Sequence, residues 1–494
     1  MAVNLTKMTP FRMIGNLYFV GTLEASSHLI DTGDGLILID TGYVENAPLI
    51  IESLAELGFD IKDVKIILHS HGHGDHTLAT AELLKHAPLA KTYVKKEDEI
   101  FLRGRFEPDY DMSDGDVIRL GNTEILILET PGHTRGTVSF FFDVTENGVT
   151  YRAGMFGGAG TNQLKKRYLD SATKWRFPYR LRGMFFDSVE RLRREKVDVF
   201  VGNHARQNKT PEKYELMKTA SANPFVDPTE WGIFLDAVEA RLMGIIKDES
   251  RTEFVNYAHR GASTYCPENT MLSFYTGVYM GANGIETDVQ KTKDGVLVLY
   301  HDDTLGRILG IEGSIKDYTY EELLAYDVKN GELRDKIPTL DDFLSHFKNF
   351  DLTFAIELKV AGIEREVADM IRKHGCEGKV IITSFIFGAI EAMKECAPEL
   401  RVGFLTRLYP KDVEGDEKEK RVIADLIRIG ADEICPAAGD FTPERVERWH
   451  RLGFRVRSWD ISNRDVMKAV CDAGADGMTV NFPDKLTEYI KEQV

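Results

Sequence analysis

Cysteine is scarce in this chain and unevenly placed. The 494 residues contain five, Cys266, Cys376, Cys396, Cys435 and Cys471, all in the second half and with no C-x-x-C pair. That excludes a disulfide framework and a thiolate zinc site, and it fits free thiols in a reducing cytoplasm. Basic charge is also in deficit. Lys and Arg number 62 against 79 Asp and Glu, a formal net charge of −17. This argues against a nucleic-acid partner, which needs a basic face. It leaves room for a small phosphate-bearing substrate, because a bound metal ion reverses the local field. Long apolar runs are missing. No window approaches the ~18 apolar residues of a membrane span, and "MAVNLTKMTPFRMIGNLYFVG" has no stretch that would serve as a signal-peptide core. The expectation is a cytoplasmic protein without a membrane span; the sequence leaves its oligomeric state open.

What is present is an ordinary globular composition, 43% hydrophobic and 29% charged, in a length that suits two large domains. Residues 1–225 begin with short apolar runs broken by Gly and Asp, "NLYFVG", "SHLIDTG" and "GLILIDTG", the pattern of strands joined by tight turns. "APLIIESLAELGF" has the period of an amphipathic helix, and "GMFFDSVERLRREK" reads as another. Strands and helices mix without strict alternation, which predicts a two-sheet sandwich with outer helices. A Pro- and acid-rich break at 223–230 opens a connecting segment, residues 226–252. From 253 to 494 the pattern becomes strand–helix alternation. "FVNYAHRG", "GIETDVQ", "VLVLYHD", "FAIELK", "VIITSF", "VGFLTR", "EICPAA" and "FRVRSWD" give eight candidate strands, enough for a (β/α)8 barrel. The stretch between "YHDDT" and "IPTLDDFL" reads as a small insertion rather than a barrel helix.

The first chemical signal is "HGHGDH". His71, His73, Asp75 and His76 share the loop after a buried strand, and the intervening glycines allow the tight turn. Imidazole with carboxylate suits zinc, and two further strand ends offer His133 in "TPGHT" and His204 in "VGNHA". In motif order, residues about 10 to 215 resemble the metallo-β-lactamase superfamily. The resemblance implies an αββα sandwich with two Zn2+ ions, one held by His71, His73 and His133, the other by Asp75, His76 and His204. It implies a zinc-bound hydroxide as the nucleophile. Many members carry a bridging Asp on the strand after "PGHT". Here "AGMFGG" puts Met155 at that place, as in the third metallo-β-lactamase subclass. His69 and His28 are left to supporting or packing roles.

The second signal is "YAHRGASTYCPENT", with His259 and Arg260 at a strand end and Glu268 and Asn269 in the loop beyond. "GIETDVQ" sets Glu286 and Asp288 two apart, hence on one face of a strand, and "FAIELK" does the same for Glu357 and Lys359. Such carboxylates invite a hard cation, Mg2+ or Ca2+. His301 stands in "LVLYHDDT". Residues about 254 to 494 resemble the glycerophosphodiester phosphodiesterase family over a long motif run. By that resemblance Glu286, Asp288 and Glu357 hold the metal, His259 and His301 form the acid–base pair, and Arg260 and Lys359 hold phosphate oxygens. Glu268, Asn269 and Trp459 are expected to touch substrate. Thr287, Tyr300 and Ser462 depart from the family pattern and bear on pocket shape.

The combined expectation is an α/β multidomain hydrolase. The barrel cleaves a glycerophosphodiester to an alcohol and glycerol 3-phosphate, and a second, zinc-dependent site sits in the first domain. Two alternatives remain for that domain: a ring-opening lactamase- or lactonase-type hydrolase as the main activity, or a zinc-stabilised docking module without catalysis.

Overall fold

The computed structural model describes residues 5–171, 179–408 and 415–493. The chain divides into two compact units, Met1–Leu164 with Leu181–Leu242, and Lys165–Arg180 with Met243–Val494. The later boundary, after Leu242, lies within the segment 226–252, and Lys165–Arg180 groups with the second unit.

Among the described residues the first unit holds two sheets. The larger runs Phe11–Ile14, Leu17–Phe19, His28–Asp31, Leu36–Ile39, Val64–Leu68, Lys91–Tyr93 in spatial order; the first four strands are antiparallel and the last two join in parallel. The other runs Val117–Leu120, Thr123–Glu129, Val138–Glu146, Val149–Met155, Val199–Phe200. Strand alternation explains how they stack. Ile37, Ile39, Ile66 and Leu68 face Ile125, Ile127, Phe140 and Phe142 of the second sheet and form the inner core. The intervening Leu36, Leu38 and Ile67 point outward, where Ile50 and Leu54 of the helix Asn46–Glu56 and Leu83 of the helix Thr80–His86 cover them. On the outer side of the second sheet, Phe141 meets Trp231. The result is the four-layer αββα sandwich.

Trp231 opens the helix Glu230–Thr252, expected only as a connector. Its indole Nε1 donates to Leu192 O at 3.0 Å and its ring packs on Phe200. The first turns of this helix are thus part of the sandwich.

The second unit is a closed barrel of eight parallel strands: Val255–His259, Gly284–Lys291, Thr353–Leu358, Val380–Ser384, Arg401–Thr406, Glu433–Pro436, Arg455–Ser458 and Gly477–Val480. One stave differs from expectation. Leu297–Leu299, within "VLVLYHD", pairs antiparallel with Gly284–Lys291 and lies outside the eight; the missing stave is Gly477–Val480. The short link between Lys291 and Leu297 accounts for this, because a parallel crossover needs about a dozen residues or more. Phe354, Ile356 and Leu358 face the helices in the main core, so Ala355 and Glu357 face the barrel interior. The insertion is real: two short helices, Gly306–Leu309 and Tyr320–Leu323, and the hairpin Val328–Asn330/Leu333–Asp335 fold around Tyr300, Leu305 and Ile315.

Candidate active sites

In the sandwich, the strand Val64–Leu68 delivers the histidine loop and the short helix Gly74–Thr77 carries Asp75 and His76. His71, His73 and His133 bring nitrogens within 4.8 Å of one another, and His71 also lies within that distance of Asp75 and His76. His204 completes the second group, with Nε2 3.7 Å from Asp75 Oδ2. All six expected ligand residues are therefore gathered at one place. Three of the rings are aimed from behind. His76 Nδ1 donates to Asp40 Oδ2 (2.8 Å), His133 Nδ1 to Gly160 O (2.7 Å) and His204 Nδ1 to Glu24 O (2.9 Å). Such bonds fix tautomer and orientation and leave Nε2 for the centre. His71 Nε2 and His76 Nε2 are buried without a hydrogen-bond partner among the described residues. A buried polar atom left bare costs free energy, and a cation between these rings would satisfy both.

Electrostatics agree. Burial and the crowded neighbouring rings push His71 well below its ordinary value and His133 down to about 3, so both offer lone pairs. Burial works against charge on His76 too, but Asp40 and Asp75 outweigh it and raise that ring to about 10. The pocket of two acids around one ring demands a positive charge there, from a proton or from a metal. Met155, at the place of a bridging Asp, is fully buried in the inter-sheet core. The glycines that follow it are required by close approach: a Cβ at Gly157 would stand 1.8 Å from Val138 O, and one at Gly158 2.8 Å from His133 Cβ. His69 is no ligand. Its Nδ1 donates to His76 O and its Nε2 accepts from Thr80 Oγ1, both at 3.1 Å. His28 is buried against Phe19.

Two acids of this site were not singled out from the sequence. Asp40 accepts from Ser70 N, Ser70 Oγ and His76 and holds a left-handed φ of 58°. Asp98 accepts from Gly72 N, Gly136 N and Thr134 Oγ1, tying the histidine loop to the "PGHT" loop. Asp40 stood in "LIDTG", directly after an apolar strand, which was the available signal; Asp98 had none.

In the barrel, the catalytic-type residues crowd the C-terminal strand ends, where barrel chemistry resides. Glu286, Asp288 and Glu357 bring oxygens within 4.8 Å of one another, and all three are buried. The register pairs Asp288 directly with Glu357. Asp288 Oδ1 has no hydrogen-bond partner among the described residues. Burial and the neighbouring carboxylates push Glu286 well above the usual carboxylate range and raise Glu357 as well. Three mutually repelling buried carboxylates with a bare oxygen fit a divalent cation. His259 sits beside them, its Nε2 3.8 Å from Glu286 Oε2, and its Nδ1 donates to Asn481 Oδ1. Burial and the adjacent Arg260 guanidinium hold His259 down at about 4. His301 Nδ1 donates to Asp302 Oδ1 at 2.6 Å. The pocket is a cleft of about 340 Å³ lined by His259, Arg260, Glu286, His301, Glu357 and, farther out, Phe385 and Trp459.

Two expected substrate contacts already have partners within the protein. Asn269 is buried, donates to Asp288 Oδ2 (2.8 Å) and accepts from Thr287 Oγ1 (2.8 Å), so its amide is spent on positioning the carboxylate. Glu268 accepts from Arg260 (2.9 Å) and from both Arg307 Nη1 and Nη2 (2.8 Å each). Arg307 also donates to Asp302. A chain of alternating charges thus runs Asp288, Arg260, Glu268, Arg307, Asp302, His301. Lys359 donates to Glu357 Oε1 at 2.8 Å. Trp459 packs edge-on against Phe385 at 4.9 Å, with the Arg407 guanidinium 5.0 Å from its ring. Asn481, Asp302, Arg307 and Arg457 were not singled out from the sequence. Asn481 follows the stave Gly477–Val480, and recognising that stave would have flagged it.

Known proteins resemble each of the two regions. The glycerophosphoryl diester phosphodiesterase family model matches residues 259–485. A glycerophosphodiester phosphodiesterase of Caldanaerobacter subterraneus is 33% identical over 247 residues, 48% of this chain and 97% of that protein. An uncharacterized protein of Bacillus subtilis, YqiK, is 34% identical over 248 residues, 48% of this chain and 98% of the relative. The chain belongs to the glycerophosphoryl diester phosphodiesterase family. The metallo-beta-lactamase superfamily model matches residues 20–146. Among solved structures, the native FEZ-1 metallo-beta-lactamase from Legionella gormanii aligns at 30% identity and a TM-score of 0.45, covering 50% of this chain and 98% of that one. The barrel region is thus that of a hydrolase family, and no helix among the described residues is long and apolar enough to cross a membrane.

Proposed function

We propose that the barrel hydrolyses glycerophosphodiesters to an alcohol and glycerol 3-phosphate. The observation that carries this is the triad of buried carboxylates, Glu286, Asp288 and Glu357, with an Asp288 oxygen that accepts no hydrogen bond from a described residue, set between two histidines. These three residues would hold Mg2+ or Ca2+, which supplies charge neutralisation for the phosphodiester anion. Arg260 and Lys359 share that task at the phosphate oxygens. Arg260 Nε is buried, makes no hydrogen bond and lies 3.3 Å from Asp288 Oδ2, which sets the guanidinium beside the carboxylate triad.

The two histidines divide the proton work. His259 gives its Nδ1 proton to Asn481, which leaves Nε2 as a lone pair, and its lowered pKa keeps that lone pair free at neutral pH. It accepts the proton of the attacking hydroxyl, from water or from the neighbouring glycerol hydroxyl. His301, anchored through Nδ1 to Asp302, delivers a proton from Nε2 to the departing alkoxide. Trp459 and Phe385 wall the outer cleft, where the substrate's organic groups would lie.

In the sandwich we assign two Zn2+ ions to His71, His73, His133 and to Asp75, His76, His204. Zinc there would supply an activated water at neutral pH. A catalytic role is favoured over a docking module by the open cleft of about 940 Å³ directly above the cluster, lined by His71, His73, Asp75, His133 and His204.

The test is glycerol 3-phosphate release from glycerophosphocholine, glycerophosphoethanolamine and glycerophosphoglycerol, with Mg2+ or Ca2+ restored after chelation. Removing one acid–base group costs about 10²–10⁴-fold, so His259→Ala and His301→Ala must each lose at least about 10²-fold. A His259→Ala protein of undiminished rate would sink this assignment.

A further inference from the structure

The cleft above the histidine cluster is unlike the rest of the molecule in charge. The chain carries a formal −17, yet the rim presents Arg206, Lys209 and Arg241. None of the three makes an ion pair with a described residue, whereas the two arginines lining the barrel cleft, Arg260 and Arg457, both pair with carboxylates. The acids on the same rim are occupied. Glu230 pairs with Lys213, and Asp227 accepts from Thr229 N and Oγ1. Lys209 also holds a left-handed backbone, φ 54°, a conformation that a long side chain adopts only under local constraint.

Apolar lining comes from the helix Glu230–Thr252, which contributes Ile233, Phe234 and Ala237 and, one turn farther along, Arg241 itself. Ile233 is 66% exposed, a large apolar side chain left uncovered beside a cavity. At about 940 Å³ the cleft also has more than twice the room of the barrel's 340 Å³. Metal ligands at the floor, an apolar strip from one helix and unpaired cations at the rim describe a site for a substrate that is anionic at one end and apolar at the other.

We propose that this cleft hydrolyses a carboxylic ester borne by a phosphodiester-containing alcohol, and that the deacylated phosphodiester it releases is the kind of molecule the barrel consumes. The inference rests on the zinc-hydrolase reading of the cluster and on the phosphodiesterase reading of the barrel. The chemistry links them. A glycerophosphodiester with free glycerol hydroxyls arises from its acyl ester by hydrolysis: water adds across the acyl C–O bond, the acyl carbon keeps the hydroxyl, and the alcohol oxygen takes the proton. No oxidant or further reactant is needed. The apolar strip receives the acyl chain and the rim cations receive the phosphodiester.

The full chain carrying His259→Ala, loaded with zinc, keeps any released phosphodiester from being consumed. Hexanoate release is compared between 1-hexanoyl-glycero-3-phosphoethanolamine and the neutral ester monohexanoylglycerol. The phosphate-bearing ester should be preferred by at least about 10-fold in kcat/KM, the worth of one charge-assisted contact. Arg206→Ala with Arg241→Ala should erase that preference through KM, and His73→Ala should abolish release from both esters. A second readout needs no turnover. In cobalt-loaded protein, the visible absorption of histidine-bound cobalt is titrated with hexyl phosphate, and the double arginine variant should raise the midpoint about 10-fold. Equal rates on both esters, with an unmoved hexyl phosphate midpoint, overturn the specificity proposed here while leaving a zinc hydrolase. A protein that retains no zinc, or cleaves neither ester, overturns the reading of the cluster itself.

Discussion

His28 shows what burial does to a single titratable side chain. It is fully buried, neither ring nitrogen has a hydrogen-bond partner among the described residues, and burial lowers its pKa from 6.5 to about 4 against the pull of Asp40. The unfolded chain therefore binds a proton below pH 6.5 that the folded chain refuses. Stability contributed by the neutral ring is complete above that pH and is lost as pH falls toward 4, at up to about 1.4 kcal/mol per pH unit. Denaturant unfolding at pH 7 and pH 5 should show a smaller acid loss in His28→Gln than in the wild type; an identical loss would contradict the assignment. Asp40 makes a different prediction. Its bond to His76 orients a ring proposed to hold zinc, so Asp40→Ala should weaken zinc retention about 10–100-fold against a competing chelator. At this scale the sequence was readable wherever chemistry clusters. His71, His73, Asp75 and His76 lie within six positions, and Glu286 with Asp288 share one strand face. Asp40, Asp98, Asn481 and Asp302 were harder, because a lone acid or amide announces itself only when folding sets it behind another residue. For Glu268 and Asn269 the loop was legible but their bonding partners were not. Their partners, Arg307 and Asp288, come from other elements.

Elements were legible where period and length agreed. The helix Asn46–Glu56 and the staves Thr353–Leu358 and Val380–Ser384 stand where their patterns put them. The error in the barrel came from counting apolar runs without their connections. Leu297–Leu299 is apolar enough for a stave, but the few residues before it allow only a hairpin return. Gly477–Val480 is short and glycine-led, and was passed over as a strand. The helix Glu230–Thr252 was read as a connector because its sequence follows a proline-rich break. Its first residues nevertheless bury Trp231 against Phe141 and Phe200. Trp231→Ala should destabilise the first unit by about 3–5 kcal/mol, seen as a lower midpoint for that unit's unfolding. A change confined to the barrel's transition would return the helix to a connector's role.

For the whole molecule, the two candidate centres are built from different donor groups and separate residues. The sandwich gathers imidazoles suited to zinc, and the barrel gathers carboxylates suited to a harder cation. Each centre stands at the ends of strands in its own unit, so each should lose its activity by its own substitution. The most direct test is glycerol 3-phosphate release from a purified glycerophosphodiester by the wild type, His259→Ala and His73→Ala, each with its metal content measured. The account predicts release that vanishes in His259→Ala and persists in His73→Ala, with zinc depleted only in the latter. No release from the metal-loaded wild type, or release lost in His73→Ala while His259→Ala stays active, would contradict it.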